Sequence, residues 1–184
     1  GTFTPPDKVV IDVDFLQTLE QREIFSGIGE MLKVHAINSP ESFDLISDAY
    51  EDVLKNPMIM EEFIHNSLSM KKKLIEIDEF DQGVRNVMNY GHSFGHAIES
   101  ATNYRIPHGI AVTIGMDIAN FVSAELCVSD PSHFERMHTV LEKNYRTYQY
   151  VEISIESLLN ALSKDKKNSA TQLRLIFPDK NGCI

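Results

Sequence analysis

Cysteine is nearly absent from this chain: Cys127 and Cys183 are its only two, one inside an apolar stretch and one at the extreme end. Such a pair offers neither a disulfide framework nor a CxxC metal knuckle, and the expectation is a protein of a reducing cytoplasm. Basic residues are scarce as well. Acids outnumber Lys and Arg 27 to 17, for a formal charge of −10 and a pI near 5.1. A nucleic-acid surface needs concentrated cations, so none is expected, although a few convergent ones suffice for a local anion site. Long hydrophobic runs are missing too: nothing approaches the roughly 18 apolar residues of a membrane span. "GTFTPPDKVV" has neither the basic segment nor the apolar core of an export signal. The expectation is a soluble, unexported protein that partners neither nucleic acid nor membrane. What remains, 184 residues of which 42% are hydrophobic, suffices for one sizeable core, with nothing in the composition to divide it into two independent domains.

The patterning is mostly helical. "KVVIDVDFL" (Lys8 to Leu16) is short and β-branched and reads as a buried strand, and "QLRLIFP" (Gln172 to Pro178) alternates as a second one. Between them, apolar spacing and stop signals place helices over about 20–38, 41–55, 57–76, 84–102, 109–127, 131–145 and 154–164. The fold class expected is mainly α, with a short strand near each end. Lone strands make no satisfactory sheet unless they pair with each other or with further chain. The sequence therefore reads as part of a larger enzyme.

The segment "MNYGHSFGHAIES" (Met88 to Ser100) sets His92 and His96 four apart, each directly after a glycine. A continuing helix presents both on one face, though sharing a face does not make both of them ligands. His108, in "RIPHG" ahead of the next helix, would return to the start of the first one if the two helices ran antiparallel. Glu30, in the apolar "GIGEMLK", is a carboxylate whose burial costs several kcal/mol unless it is paired or bound to a metal. Two histidines and a glutamate around an open fourth position are the donor set of a catalytic zinc. The competing reading is a pair of core histidines satisfied by backbone groups, with Gly91 and Gly95 there for close helix packing. His35, His65, His133 and His138 read as surface or partly buried. Cations gather at Lys33, at Lys71 to Lys73, at Arg85 and at Lys166 and Lys167. A clamp of Arg85 with a lysine would suit a phosphate or carboxylate; for Lys72, Lys73 and Lys164 a solvated face is the better reading.

Taken in order, "VVIDVDFLQTL", "GIGEMLK", "KKKLIEIDEFDQGVRNVMNYGHSFGHAIES", "HGIAVTIGMDIA", "DKK" and "LRLIFP" resemble the C-terminal domain of the 3-dehydroquinate synthase and sugar phosphate cyclase family. The likeness runs over nearly the whole chain. It implies a two-domain enzyme whose helical C-terminal domain carries Zn2+ (or Co2+) and most substrate contacts, while an N-terminal α/β domain, apparently absent from this chain, carries NAD. It also implies a homodimer acting on a small sugar phosphate. Matched position by position, Glu30, His92 and His108 fall on the metal ligands. Lys33, Asn89 and His96 fall on catalytic positions, and Lys71, Arg85 and Lys166 on substrate-binding ones, with Arg85 toward the phosphate.

The activity implied is metal- and NAD-dependent cyclisation in the shikimate pathway: transient oxidation of a hydroxyl, phosphate elimination, re-reduction, ring opening and aldol closure of 3-deoxy-arabino-heptulosonate 7-phosphate. Two positions depart from the family pattern. Ile110 stands where a glutamate is usual, which keeps a 2-deoxy-scyllo-inosose or valiolone-type synthase open, and Gly29 stands where alanine is frequent. The other readings are an iron-containing alcohol or glycerol dehydrogenase-like domain, which would produce net NADH, and a non-catalytic helical domain that binds metal or mediates dimerisation.

Overall fold

A computed structural model describes residues 7–80, 83–164 and 174–184. Eight α-helices are described: α1 (Gln21–Asn38), α2 (Pro40–Asp48), α3 (Tyr50–Lys55), α4 (Pro57–Ile77), α5 (His92–Ala101), α6 (His108–Glu125), α7 (Pro131–Tyr145) and α8 (Ile155–Ser163). Three of them start on one local device, a capping side chain followed by proline. Ser39 Oγ accepts the Ser42 N–H at 3.1 Å ahead of α2, Asn56 Oδ1 the Met58 N–H at 3.0 Å ahead of α4, and Asp130 Oδ1 the Ser132 N–H at 2.9 Å ahead of α7. Proline at the first helical position has no N–H to leave unsatisfied, and each cap contributes about 1 kcal/mol. None of the helices is long and apolar enough to cross a membrane.

Helix α6 is the centre of the molecule. It packs against α5, α7 and α1, while α8 lies along α5 and α4 along α1. Its sequence is apolar nearly all round, as a surrounded helix requires, with Ile110, Ala111, Val112, Met116 and Ala119 at most 2% exposed. A buried polar chain ties α6 to its neighbours. The Tyr50 hydroxyl donates to Asn144 Oδ1 at 3.1 Å, Asn144 Nδ2 donates to Thr113 Oγ1 at 3.1 Å, and Thr113 Oγ1 donates to the Gly109 carbonyl at 2.7 Å. The Gly109 N–H then donates to Ser26 Oγ on α1 at 2.8 Å. Each buried group has its partner, so the chain fixes the register of α1 against α6.

The mainly α expectation holds, and the two strands do not form among the described residues. Val13–Thr18 is a 3-10 turn begun by the Asp12 side chain, which accepts the Asp14 N–H. Val9, Val10 and Ile11 before it are 70%, 77% and 53% exposed. Residues 174–178 are irregular, with Leu175, Ile176 and Phe177 packed on the helical core; 172 and 173 lie outside the described residues. A β-branched run becomes a strand only where another strand shares its ladder, and the described residues of these two segments form no ladder with each other.

Two expected helices are each broken. At Ala49, whose ψ is 1° and whose N–H is shared between the Leu45 and Ser47 carbonyls, the 41–55 segment divides into α2 and α3, which turns Tyr50 inward. The 84–102 segment is a 3-10 turn over Val84–Asn89, then Tyr90 and Gly91, then α5. Gly91 has φ +73°, a left-handed conformation that residues with a Cβ adopt only at a cost. The break makes His92 the first residue of a helix instead of the middle of one.

Candidate metal centre

Glycines at two helix crossings bring the site together. A Cβ at Gly29 would collide with the Gly109 carbonyl and Thr113 Oγ1, and one at Gly109 with the Ser26 carbonyl, so α1 and α6 meet backbone to backbone. A Cβ at Gly115 would collide with the Gly91 carbonyl, and α5 meets α6 in the same way. Three of these four glycines have a site residue next to them in sequence: Glu30 after Gly29, His92 after Gly91 and His108 before Gly109. The close approach of three backbones thus becomes the close approach of three side chains.

Glu30 Oε1 lies 3.8 Å from His92 Nε2 and 3.7 Å from His108 Nε2. It is enclosed and has no hydrogen-bond partner among the described residues. The other oxygen, Oε2, accepts from Lys33 Nζ at 2.9 Å. Burial alone would raise the Glu30 carboxyl pKa, but the Lys33 ammonium beside it, helped by His92 and His108, holds it below the usual carboxylate range. Both imidazoles are held from behind. The Nδ1–H of His92 donates to the Tyr90 carbonyl at 3.2 Å, and that of His108 donates to Glu99 Oε2 at 3.1 Å. With Nδ1 carrying the proton, the Nε2 lone pair of each ring is directed at Glu30. His92 is pushed down to about 4 by burial and by Lys33, against the opposing pull of Glu30 and the Tyr90 carbonyl, and so is neutral near pH 7.

Two imidazoles and a carboxylate are the donors Zn2+ or Co2+ takes. Ligands about 2.0–2.2 Å from one tetrahedral ion lie roughly 3.3–3.6 Å from each other, close to the 3.7 and 3.8 Å separations here. The residues therefore fit a metal, and the buried, unpartnered oxygen is the atom that a metal would satisfy. His96 joins the cluster from its exposed side. Its ring centroid is 5.3 Å from that of His92 and 5.7 Å from that of His108, on which it stacks. One ring nitrogen from each of the three histidines falls within a common 4.8 Å.

The remaining expected residues are spread more widely. Lys33 is 2% exposed, its ammonium against Glu30. Lys71, on α4 and exposed, lines with Glu30 and Met88 a cleft of about 170 Å³. Asn89 is half-buried and ends the 3-10 turn leading to Tyr90. Arg85 is held within its own loop: Nη1 donates to the Glu79 carbonyl at 2.8 Å and its backbone N–H to Asp78 Oδ2 at 3.1 Å. Lys166 lies outside the described residues.

Ile110, the departure from the family pattern, is 1% exposed and packs with Ile98 and Ile106, so its side chain belongs to the core and not to the site. His35 corrects its expected surface or partly buried setting: it is 2% exposed, with Nδ1 2.9 Å from Ser42 Oγ. Sequence reasoning passed over Glu99 and Tyr90, which hold the two rings. For Glu99 the signal was present, since it lies seven residues after His92 and three after His96 on one helical face.

Residues 27–168 match the family described as 3-dehydroquinate synthase C-terminal. The chain belongs to that family. Curated 3-dehydroquinate synthases resemble it over its whole length: that of Alkaliphilus metalliredigens is 33% identical over 186 residues, covering 100% of this chain and 52% of the relative. The Dictyoglomus thermophilum relative is 36% identical over 193 residues, again 100% of this chain and 52% of its own. The chain spans about half the length of the curated relatives it matches. The same fold occurs in a 2-epi-5-epi-valiolone synthase from Streptomyces hygroscopicus subsp. jinggangensis solved with NAD+ and Zn2+, at TM-score 0.77 and 22% identity over 89% of this chain and 46% of that one. It occurs also in a 2-deoxy-scyllo-inosose synthase solved with carbaglucose-6-phosphate, NAD+ and Co2+, at TM-score 0.77 and 22% identity over 94% of this chain and 49% of that one. Family membership thus joins the chain to the 3-dehydroquinate synthase-like sugar phosphate cyclases.

Proposed function

We propose that this chain is the metal- and substrate-binding half of a 3-dehydroquinate synthase, closing 3-deoxy-arabino-heptulosonate 7-phosphate to a carbocycle with loss of phosphate. The observation that carries the reading is Glu30 Oε1, enclosed, without a hydrogen-bond donor among the described residues and facing the Nε2 atoms of His92 and His108. What supports the particular substrate is the name shared by the curated relatives. The second half, corresponding to the length of those relatives that this chain does not cover, would bring NAD, and the working enzyme would be a homodimer.

In this reading Glu30, His92 and His108 hold Zn2+ or Co2+, which when bound supplies Lewis acidity toward a substrate hydroxyl. Lys33 keeps Glu30 ionised and in place through its ion pair. His96, on the exposed side of the cluster, exchanges a proton with the substrate, for which an imidazole is suited near neutral pH. Asn89 orients the reacting groups beside it. Lys71 binds the anionic substrate across the cleft from Glu30, while Arg85 and Lys166 hold the phosphate, whose negative charge grows as it departs. For Arg85 this means exchanging its carbonyl partner in the 78–85 loop for a phosphate oxygen.

Phosphate release by the full-length polypeptide tests the reading, with a panel of seven-carbon sugar phosphates and glucose 6-phosphate offered in the presence of NAD and Zn2+. Release from 3-deoxy-arabino-heptulosonate 7-phosphate without net NADH is expected. Turnover of glucose 6-phosphate instead identifies a 2-deoxy-scyllo-inosose synthase, and net NADH production overturns the cyclase reading.

A further inference from the structure

Of the two imidazoles facing Glu30, one is steadied by the main chain and the other by a side chain. The His92 ring leans on the Tyr90 carbonyl, an acceptor every residue at 90 would offer. The His108 ring leans on the Glu99 carboxylate, which is a property of this residue alone. Glu99 is 9% exposed, so its placement beside His108 is not an accident of a mobile surface chain.

The same residue also ties down the turn that delivers His108. The Glu99 carbonyl accepts the Tyr104 N–H at 2.8 Å and lies 3.3 Å from the donating Thr102 Oγ1. Asn103 and Tyr104 stand at φ +51° and +57°, conformations costing roughly 1–2 kcal/mol each for residues with a Cβ. The capping bonds to the end of α5 offset that cost. Side chain and carbonyl of one residue therefore set both the path of the chain into α6 and the rotation of its first imidazole.

We infer that Glu99 is the positioning residue of the metal centre, its buried carboxylate holding the Nδ1–H of His108 so that Nε2 stays unprotonated and turned toward Glu30. The inference rests on the metal-centre reading above. A carboxylate behind a ligating histidine also strengthens the ring as a donor, and losing such a partner typically weakens metal binding by roughly 10–100-fold.

The test compares wild type, Glu99→Gln and Glu99→Ala in the full-length polypeptide. Zinc affinity is measured by competition with a chelator, and the His108 tautomer by nitrogen-15 NMR of the metal-free protein. Wild type is expected to bind one Zn2+ with the proton on Nδ1. Glu99→Ala should bind roughly 10–100-fold more weakly, with the proton redistributed between the two ring nitrogens. Glu99→Gln, which keeps an acceptor oxygen but not the charge, should retain the wild-type tautomer and lose less affinity. An unchanged tautomer in Glu99→Ala, or Zn2+ bound as tightly as by wild type, overturns the inference while leaving the metal centre standing. Absence of zinc binding by wild type overturns the metal-centre reading itself, and the positioning role with it.

Discussion

Helix α6 carries histidine–carboxylate clusters at two places. At its first turn, His108 meets Glu30, His92 and Glu99. Near its middle, Asp117 accepts from the Nδ1–H of His138 at 2.8 Å and from the Tyr145 hydroxyl at 2.6 Å. Asp117 is buried, while Glu30 is part-exposed with only its Oε1 enclosed, and their bonding differs. Asp117 has a donor for its charge on two sides, and Phe134 lies against His138 with ring centroids 5.0 Å apart. Glu30 keeps one enclosed oxygen with no donor, next to two rings whose protons are turned away. A satisfied cluster binds helices together, whereas an unsatisfied one is arranged for something the protein must acquire.

The sharpest way to break this contrast is to remove one member of each cluster. His92→Ala should take metal content from one equivalent to background by elemental analysis after desalting, while Asp117→Asn should leave the equivalent intact and cost about 1–3 kcal/mol in denaturant unfolding. Metal lost equally from both variants would erase the distinction.

His96 probes the exposed side of the first cluster. His96→Ala should keep the metal and lower kcat by roughly 10²–10⁴-fold, the usual contribution of a proton-transferring side chain. Loss of metal in this variant would instead make His96 a ligand.

Two glycines of α1 carry the comparison into packing. A Cβ at Gly29 meets backbone and Thr113, while one at Gly27 meets nothing within 4 Å. Gly29→Ala should cost about 1–3 kcal/mol through overpacking and weaken the metal by shifting Glu30 from His108. Gly27→Ala should be neutral or stabilising by up to about 1 kcal/mol. Thermal unfolding with and without Zn2+ separates the two effects.

A further difference between the two clusters is expected in pH dependence. Burial and Lys33 lower His92 from 6.5 to about 4, so across that window the unfolded chain takes up a proton that the folded protein refuses. The stabilising contribution is fully present above about pH 6.5 and declines as pH falls toward 4. Metal-free wild type should lose stability across this range, and His92→Ala should flatten that slope.

Local signals carried the helices well. Ser39 with Pro40, Asn56 with Pro57 and Asp130 with Pro131 announce three starts, and α1, α4, α6 and α7 begin or end within a residue or two of their expected limits. The misreadings share a cause: the deciding partner was remote. Val9 to Ile11 have strand composition but no neighbouring strand among the described residues. Gly91 sits within helical spacing, and only the crossing with Gly115 shows why the chain turns there. Glu30, His92, His96 and His108 were legible as chemistry because their types and order are informative. Glu99 shared the helical face of His92 and His96 but was passed over because a glutamate inside a helix ordinarily faces water.

The three residues around the enclosed oxygen come from α1, α5 and α6, with nearly half of the distance from Glu30 to His108 in sequence taken up by α2, α3 and α4. An ion bound there would join the ends of that long excursion as a cross-link does, restricting the unfolded chain and adding its binding free energy to folding. The molecule would then report its own loading: a chelator would lower the melting temperature of the whole helical assembly, by an amount that grows with free Zn2+ in the untreated sample.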